Sequence, residues 1–256
     1  MTRWILAGAC AATLACGGGN QPGKPPAPIT GGPAQVDSLW NQANRAFRQG
    51  HWQKAATELE RLVFEFPPGD PRIVRTHFLM GECYLASGDH LEAAREFRIV
   101  SDRTPNDALA PEGLMRAGDA FAELWKRPEL DPSYGQTALA TWQEILSRYP
   151  DAAVVPRVRE RIARLQEQFA AKDFKNGMFY FRLKAYDSAI IYFSELLRNY
   201  PGTSVAPDAA VKLIETYRAL GYIEEQNEKC AYARQNFPGH AEIEQVCPRP
   251  PPASAP

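Results

Sequence analysis

The chain has 256 residues, 45% of them hydrophobic, enough apolar material for a substantial core. Its 29 Lys and Arg against 30 Asp and Glu leave a formal net charge of −1. That balance argues against a dedicated binder of nucleic acid or of an acidic membrane, which needs a clustered basic face. No internal stretch offers the roughly 20 apolar residues that a bilayer span requires.

The chain opens with MTRWILAGACAATLAC, one Arg followed by a short apolar run that stops at Cys16. This reads as a secretory signal, too short and wrongly flanked for a membrane helix. A cysteine at the end of the apolar run resembles a bacterial lipoprotein signal, in which that cysteine is acylated and becomes the first residue. Cys16 is the expected lipidation site, since Cys10 would leave only Trp4–Ala9 as the apolar segment. Leu14 stands two residues before Cys16, where the usual pattern places it three before, and a soluble periplasmic protein cleaved nearby is the alternative. Gly18 two positions after the cysteine fits sorting to the outer membrane. Residues 17–35 are rich in Gly and Pro and read as a flexible tether.

From residue 36 the pattern becomes helical. Val36–Gln49 forms a first helix stopped by Gly50, and His51–Phe66 its partner. Asp70-Pro71 then reads as an N-cap followed by proline at the first helical position. Gly81, Tyr84 and Gly88 follow at helix-packing and turn positions. A third pair starts at Asn106 and carries Gly118 and Phe121. Its turn is swollen through KRPELDPSY, an insertion of the kind that often carries contacts. The fourth begins at Asp151, with Val158, Ile162, Leu165 and Phe169 as an apolar stripe, and runs on into Phe174–Leu183. A fifth spans Thr203–Pro238, and residues 241–256 read as a disordered Pro-rich tail.

These pairs are copies of one unit. Pro67, Pro105, Pro150, Pro201 and Pro238 each close a helical pattern, because proline lacks the N–H that a further turn needs. Twelve residues before each stand Ala55, Ala93, Ala138, Ala189 and, as an exception, Gln226. Eight before stand Leu59, Phe97, Trp142, Phe193 and Cys230. Five before stand Leu62, Val100, Ile145, Leu196 and Ala233. A further proline (Pro111, Pro156, Pro207) falls near the first turn of the next helix in three copies. Small residues where two backbones approach, with aromatics around them, match the tetratricopeptide (TPR) repeat. The expected fold is therefore all-α: a TPR-like α-solenoid over residues 36–240, with five helix-turn-helix repeats in a right-handed superhelix.

Catalytic chemistry is not legible. The histidines are His51, His77, His90 and His240, with no pair at the spacing of a zinc helix and no CxxC. No Walker loop, GxGxxG or Gly-flanked nucleophile is present. No enzyme activity, metal or cofactor is expected. Cys83, Cys230 and Cys247 remain in the folded part, an odd number. Two readings stand for Cys230: a disulfide with Cys247 that staples the tail, or a small buried apolar residue at a core position.

The chain resembles the BamD family, the TPR lipoproteins of the outer-membrane β-barrel assembly machinery. The resemblance covers roughly residues 16–238 and is carried by Cys16 and by ANRAFRQGHWQKAATELERLVFEFPPG, ELDPSYGQTALATWQEILSRYP and GMFYFRLKAYDSAIIYFSELLRNYPGTSVAPDA. It implies a lipid-anchored protein on the periplasmic face of the outer membrane. The implied partners are a BamA-like β-barrel protein with POTRA domains, unfolded outer-membrane protein substrates and other assembly lipoproteins, with no nucleic acid. By the same resemblance the C-terminal half should dock the BamA-like partner.

In a solenoid of this kind the first helix of each pair lines the inner groove. Trp40, Asn44, Phe47 and Arg48, then Arg75, Phe78, Glu82 and Leu85, fall outside the packing registers and should face it. Three aromatics beside two arginines suit an extended peptide that ends in an aromatic residue and a free carboxylate. The competing reading is that Phe47 and Leu85 only pack against neighbouring helices. A carboxylate clamp of the chaperone-cochaperone kind is rejected, since of Trp40, Asn44, Phe78 and Glu82 only Asn44 fits it. Other roles remain open from sequence: a periplasmic TPR scaffold for pilus or cell-envelope assembly, or the targeting subunit of a peptidoglycan enzyme.

Overall fold

A computed structural model describes residues 32–247, all of whose regular structure is helical. The first repeat is α1 (Pro33–Arg48) and α2 (Trp52–Glu65), the second α3 (Arg72–Ser87) and α4 (His90–Arg103). The third is α5 (Ala110–Glu123) and α6 (Ser133–Arg148), the fourth α7 (Val155–Arg182) and α8 (Tyr186–Asn199). The fifth is α9 (Ala206–Leu220) and α10 (Ile223–Asn236), and a short α11 (Ala241–Val246) follows. From α1 to α10 each helix packs on the next, so burial runs along the stack in four neighbouring clusters.

The local rules hold with small shifts. Pro111, Pro156 and Pro207 all sit in the first turn of their helices, where the missing N–H costs nothing. Helix α3 starts one residue later than expected, at Arg72, with Pro71 just outside it. Asp70 still caps this end: its Oδ1 accepts from the Arg72 backbone N–H at 2.8 Å and from the guanidinium at 3.0 Å. Gly88 and Gly221 take the left-handed conformation that ends α3 and α9. In the fourth repeat Lys184 occupies the same kind of turn at φ 59°, the one described non-glycine with positive φ.

The proline registers locate the core. Ala55, Ala93, Ala138 and Ala189 are fully buried, and Gln226 is buried in their place in the fifth repeat. Sixteen residues before Phe97 and Phe193 stand Gly81 and Gly177, against whose backbone those rings lie. A Cβ added there would meet the ring at 2.7 and 2.5 Å. Gly118 serves Trp142 in the same way across the longer third turn. Where the first helix carries a bulkier residue, the second carries a smaller one. Ala43 stands in register with Leu59 and Ile214 with Cys230, all four buried in their clusters. The atypical end repeats thus exchange volume across the helix pair and keep the backbone spacing.

Two boundaries differ from the sequence expectation, and the third turn gains contacts of its own. Helix α1 begins at Pro33, inside the stretch read as tether to residue 35. The swollen third turn is fastened down. Trp125 is 2% exposed and stacks on Phe169 of α7 at 4.5 Å. Lys172 donates from Nζ to the Leu130 carbonyl at 2.6 Å, and Lys175 pairs with Glu129 at 3.0 Å. The tail read as disordered from 241 is helical to Val246 and ordered to Cys247. A disulfide between Cys230 and Cys247, which decides the reading of Cys230, holds it. Residues 1–31, with Cys16 and most of the tether, and residues 248–256 lie outside the described region.

Asp173 is half-buried on α7, and burial, aided by Glu195 on α8, pushes its carboxyl up to about 6; Lys172 opposes this. The folded state therefore holds this proton more tightly than the unfolded chain. Stability contributed by Asp173 is present below pH 4 and is lost as pH rises toward 6. Partial exposure discounts the full linkage energy to about 1 kcal/mol. Asp173→Asn is expected to raise the melting temperature at pH 7.5 by a few degrees and to leave it unchanged near pH 3.5. Equal melting shifts at both pH values would contradict this account.

Candidate functional site

A cavity of about 540 Å³ opens between repeats two to four, lined mainly from α5 and α7. Its apolar lining includes Leu85 from α3, Ala122 and Trp125 from and just after α5, Trp142 from α6 and Leu165 from α7. The insertion positions Trp125, because the ring fills the space over Gly135, where a Cβ would stand 2.4 Å from it. Trp142 donates from Nε1 to the Met115 carbonyl at 3.1 Å, which fixes its plane.

Charged groups cross the cleft from repeat to repeat. Glu82 on α3 takes two hydrogen bonds from Arg116 on α5, at 2.7 and 2.6 Å. Asp119, one turn on from Arg116, accepts from Arg161 of α7 at 2.5 and 3.0 Å and contacts Arg116 at 3.5 Å. Beside this ladder Arg164 has no hydrogen-bond or ion-pair partner among the described residues. Burial alone would depress the Arg116 guanidinium, but the Glu82 hydrogen bonds dominate and raise it. With an apolar base and fixed positive charge, the cleft can hold an extended chain that bears apolar side chains and an anion.

The eight residues expected in the groove divide. Trp40 is half-buried edge-on to Phe66 at 6.1 Å, and Phe47 packs edge-on to Trp52 at 5.4 Å, both in the first core cluster. Asn44 donates to the Trp40 carbonyl of its own helix. Phe78 stands edge-on to Phe97 at 5.4 Å. Arg48 and Arg75 are exposed. Leu85 lines the cleft, and Glu82 borders it through Arg116. The cavity is thus centred on repeats three and four, at residues sequence reasoning did not single out. The visible signal was the helical spacing of Arg157, Arg161 and Arg164 on one face of α7. No helix among the described residues is long and apolar enough to cross a membrane.

The family model described as YfiO, outer membrane lipoprotein, matches residues 33–232. Curated relatives named outer membrane protein assembly factor BamD are similar at low identity. The Caulobacter vibrioides protein is 22% identical, the alignment covering 80% of this chain and 67% of that protein. That of Xylella fastidiosa strain 9a5c is 24% identical, covering 85% and 78%. That of Vibrio cholerae is 26% identical, covering 72% and 80%. Among solved structures, a TPR repeats protein of Bacteroides fragilis superposes with a TM-score of 0.49 at 14% identity, over 82% of this chain and 95% of that one. A superposition this loose carries no inference.

Proposed function

This chain belongs to the YfiO family of outer membrane lipoproteins, and from that membership we propose that it works in outer-membrane protein assembly as a non-catalytic scaffold. It receives unfolded β-barrel chains in the cleft of repeats two to four and presents them to a BamA-like β-barrel partner with POTRA domains. The observation that carries this reading is the cleft itself: tryptophans and leucines under a row of arginines, built across repeats on the first-helix side. An unfolded barrel strand alternates apolar and polar side chains, and such a segment matches an apolar base with a charged rim. Trp40, Asn44, Phe47, Arg48, Arg75 and Phe78 extend the proposed path toward the N-terminal repeats.

The anchor is Cys16, acylated in the outer membrane on its periplasmic face, and other assembly lipoproteins join the same complex. The BamA-like partner docks on the C-terminal half. There Phe179 and Leu183 at the end of α7, and Tyr222 and Ile223 at the α9–α10 turn, are exposed apolar side chains at the turns of consecutive repeats. Such residues mark interaction surfaces when they cluster.

Photo-crosslinking separates the two surfaces. A photoreactive residue at Arg75 or Gln168 should capture an unfolded β-barrel substrate, and one at Leu183 or Ile223 the BamA-like protein. The exposed Gln143 of α6 serves as the outer control. Substrate capture that is equal at Gln143 and Gln168 would overturn the cleft assignment.

A further inference from the structure

Helix α7 has 28 residues, where the other first and second helices of the repeats have 14 to 16. It passes from one core to another. Val158, Leu165 and Phe169 are buried with Trp142 and Ile145 of the third repeat. From Ala170 on, Phe174, Met178 and Phe181 pack instead with Phe193 and the fifth repeat. Tyr200, at the end of α8, is the one described side chain that these two clusters share. Packing keeps a helix straight, and between two cores only its own backbone hydrogen bonds resist bending. The crossing at Phe169–Lys175 is therefore the natural flexure of the array.

The enlarged third turn grips α7 at this crossing. Lys172 donates to the Leu130 carbonyl at 2.6 Å, with its Nζ 6.0 Å from the centre of the Trp125 ring, and Lys175 pairs with Glu129 at 3.0 Å. A run of three rings passes through it, Trp125 on Phe169 at 4.5 Å and Phe169 on Tyr200 at 5.9 Å. Glu167 ties the same region forward, accepting from the backbone N–H and the hydroxyl of Ser204 at 2.9 and 2.7 Å. We propose that the third turn is a splint, which holds α7 at the crossing and so fixes the angle between repeats one to three and repeats four and five. Released, the two halves swing about α7 as a hinge between rigid bodies. The splint is poised to open, because Lys175 and Glu129 are 68% and 60% exposed and such a pair is weak and screened by salt. Trp125 also lines the cleft, so one side chain forms the cleft wall and sets the angle of the C-terminal half. The device holds whether or not the cleft binds an unfolded chain.

The test measures distances between spin labels by pulsed electron paramagnetic resonance on the full chain. One pair of labels sits on cysteines placed at Thr57 of α2 and Asn227 of α10, both exposed, and spans the crossing. A second pair, at Thr57 and the exposed Ser147 of α6, stays within the first three repeats. The native cysteines take no label, since Cys83 is buried and Cys230 is bonded to Cys247. The spanning pair is expected to give one narrow distance distribution in the parent protein. Lys172→Gln combined with Lys175→Gln, and separately Trp125→Leu, should each widen it about twofold, while the second pair stays narrow. Salt at about 0.5 M should widen the spanning pair of the parent in the same direction. A change confined to the spanning pair in either variant upholds the splint. A parent distribution that is already broad, or one that neither variant alters, overturns it. Equal widening of both pairs also overturns it, since the array would then flex throughout. If Trp125→Leu fails to fold, the lysine variant, altered only at partly exposed side chains, decides alone.

Discussion

Gly118→Ala is expected to lower the stability of the fold by about 3 kcal/mol, one of the largest effects available from a single methyl group in this chain. The added Cβ would lie 2.3 Å from Nε1 and 2.5 Å from Cδ1 of Trp142, far inside contact distance. The ring cannot simply slide, because its N–H donates to the Met115 carbonyl on the facing helix. Overpacking costs about 1–3 kcal/mol, and a buried donor left unpaired costs about 1–3 kcal/mol more. The better helix propensity of alanine returns about 1 kcal/mol of this. For a chain of this size that corresponds to a fall in melting temperature of roughly 10 °C. Gly81→Ala should cost less, since its Cβ meets the Phe97 ring at 2.7 Å and that ring has no hydrogen bond to lose. Gly202, with nothing within 4 Å of an added Cβ, supplies the neutral control. Thermal melts of the three variants check the ranking. Should Gly118→Ala melt with wild type, the register that pairs the third repeat's helices is wrong.

That register was legible because each repeat must solve the same packing problem. A glycine on one helix faces an aromatic on the other, and a closing proline follows at a fixed interval. The degenerate ends obeyed the same volume rule with Ala43 and Leu59, and with Ile214 and Cys230, which no position-by-position consensus displays. What sequence did not reveal was contact between repeats. Arg116 reaches Glu82 across 34 residues and Arg161 reaches Asp119 across 42, and spacing along one helix does not encode such pairs. The cleft therefore stayed invisible while its walls were predicted. Placing the groove residues in repeats one and two followed from helix geometry. Yet Phe47 and Phe78 stand half-buried, edge-on to aromatic residues of the partner helices. Helix α11 was missed for another reason. Its six residues carry Ile243 as their one strong core contact, and a helix that short is far below the length that is stable alone. Tertiary contacts and a covalent bond hold it, and periodicity reports neither.

The disulfide is therefore expected to matter out of proportion to its place near the chain end. Cys230 and Cys247 close a loop with a sequence separation of 17, for which restriction of the unfolded chain contributes about 3 kcal/mol. Ile243 at 1% exposed and Cys247 at 7% are packed in the cluster that includes Leu213 and Ile214 of α9. Two exposed or partly exposed ion pairs add to this, Arg234 to Glu244 at 3.3 Å and His240 to Asp208 at 3.7 Å. Without the bond, α11 loses its anchor and the last repeat loses the cover over its first helix. Cys247→Ser is expected to lower the melting temperature by roughly 10 °C. Reductant should bring wild type to the same value and leave the variant unmoved. Cys83 does not interfere, since burial pushes its thiol up to about 12 and keeps it protonated and unreactive. Limited proteolysis adds a local readout. Cleavage near Gly239 should appear in the variant and in reduced wild type while the first four repeats stay intact, because stability in a stacked array is lost from the end inward. Reductant that leaves both the melt and the cleavage pattern of wild type unchanged would show that α11 is held by packing alone, and the covalent staple would then have no part in stabilising the fifth repeat.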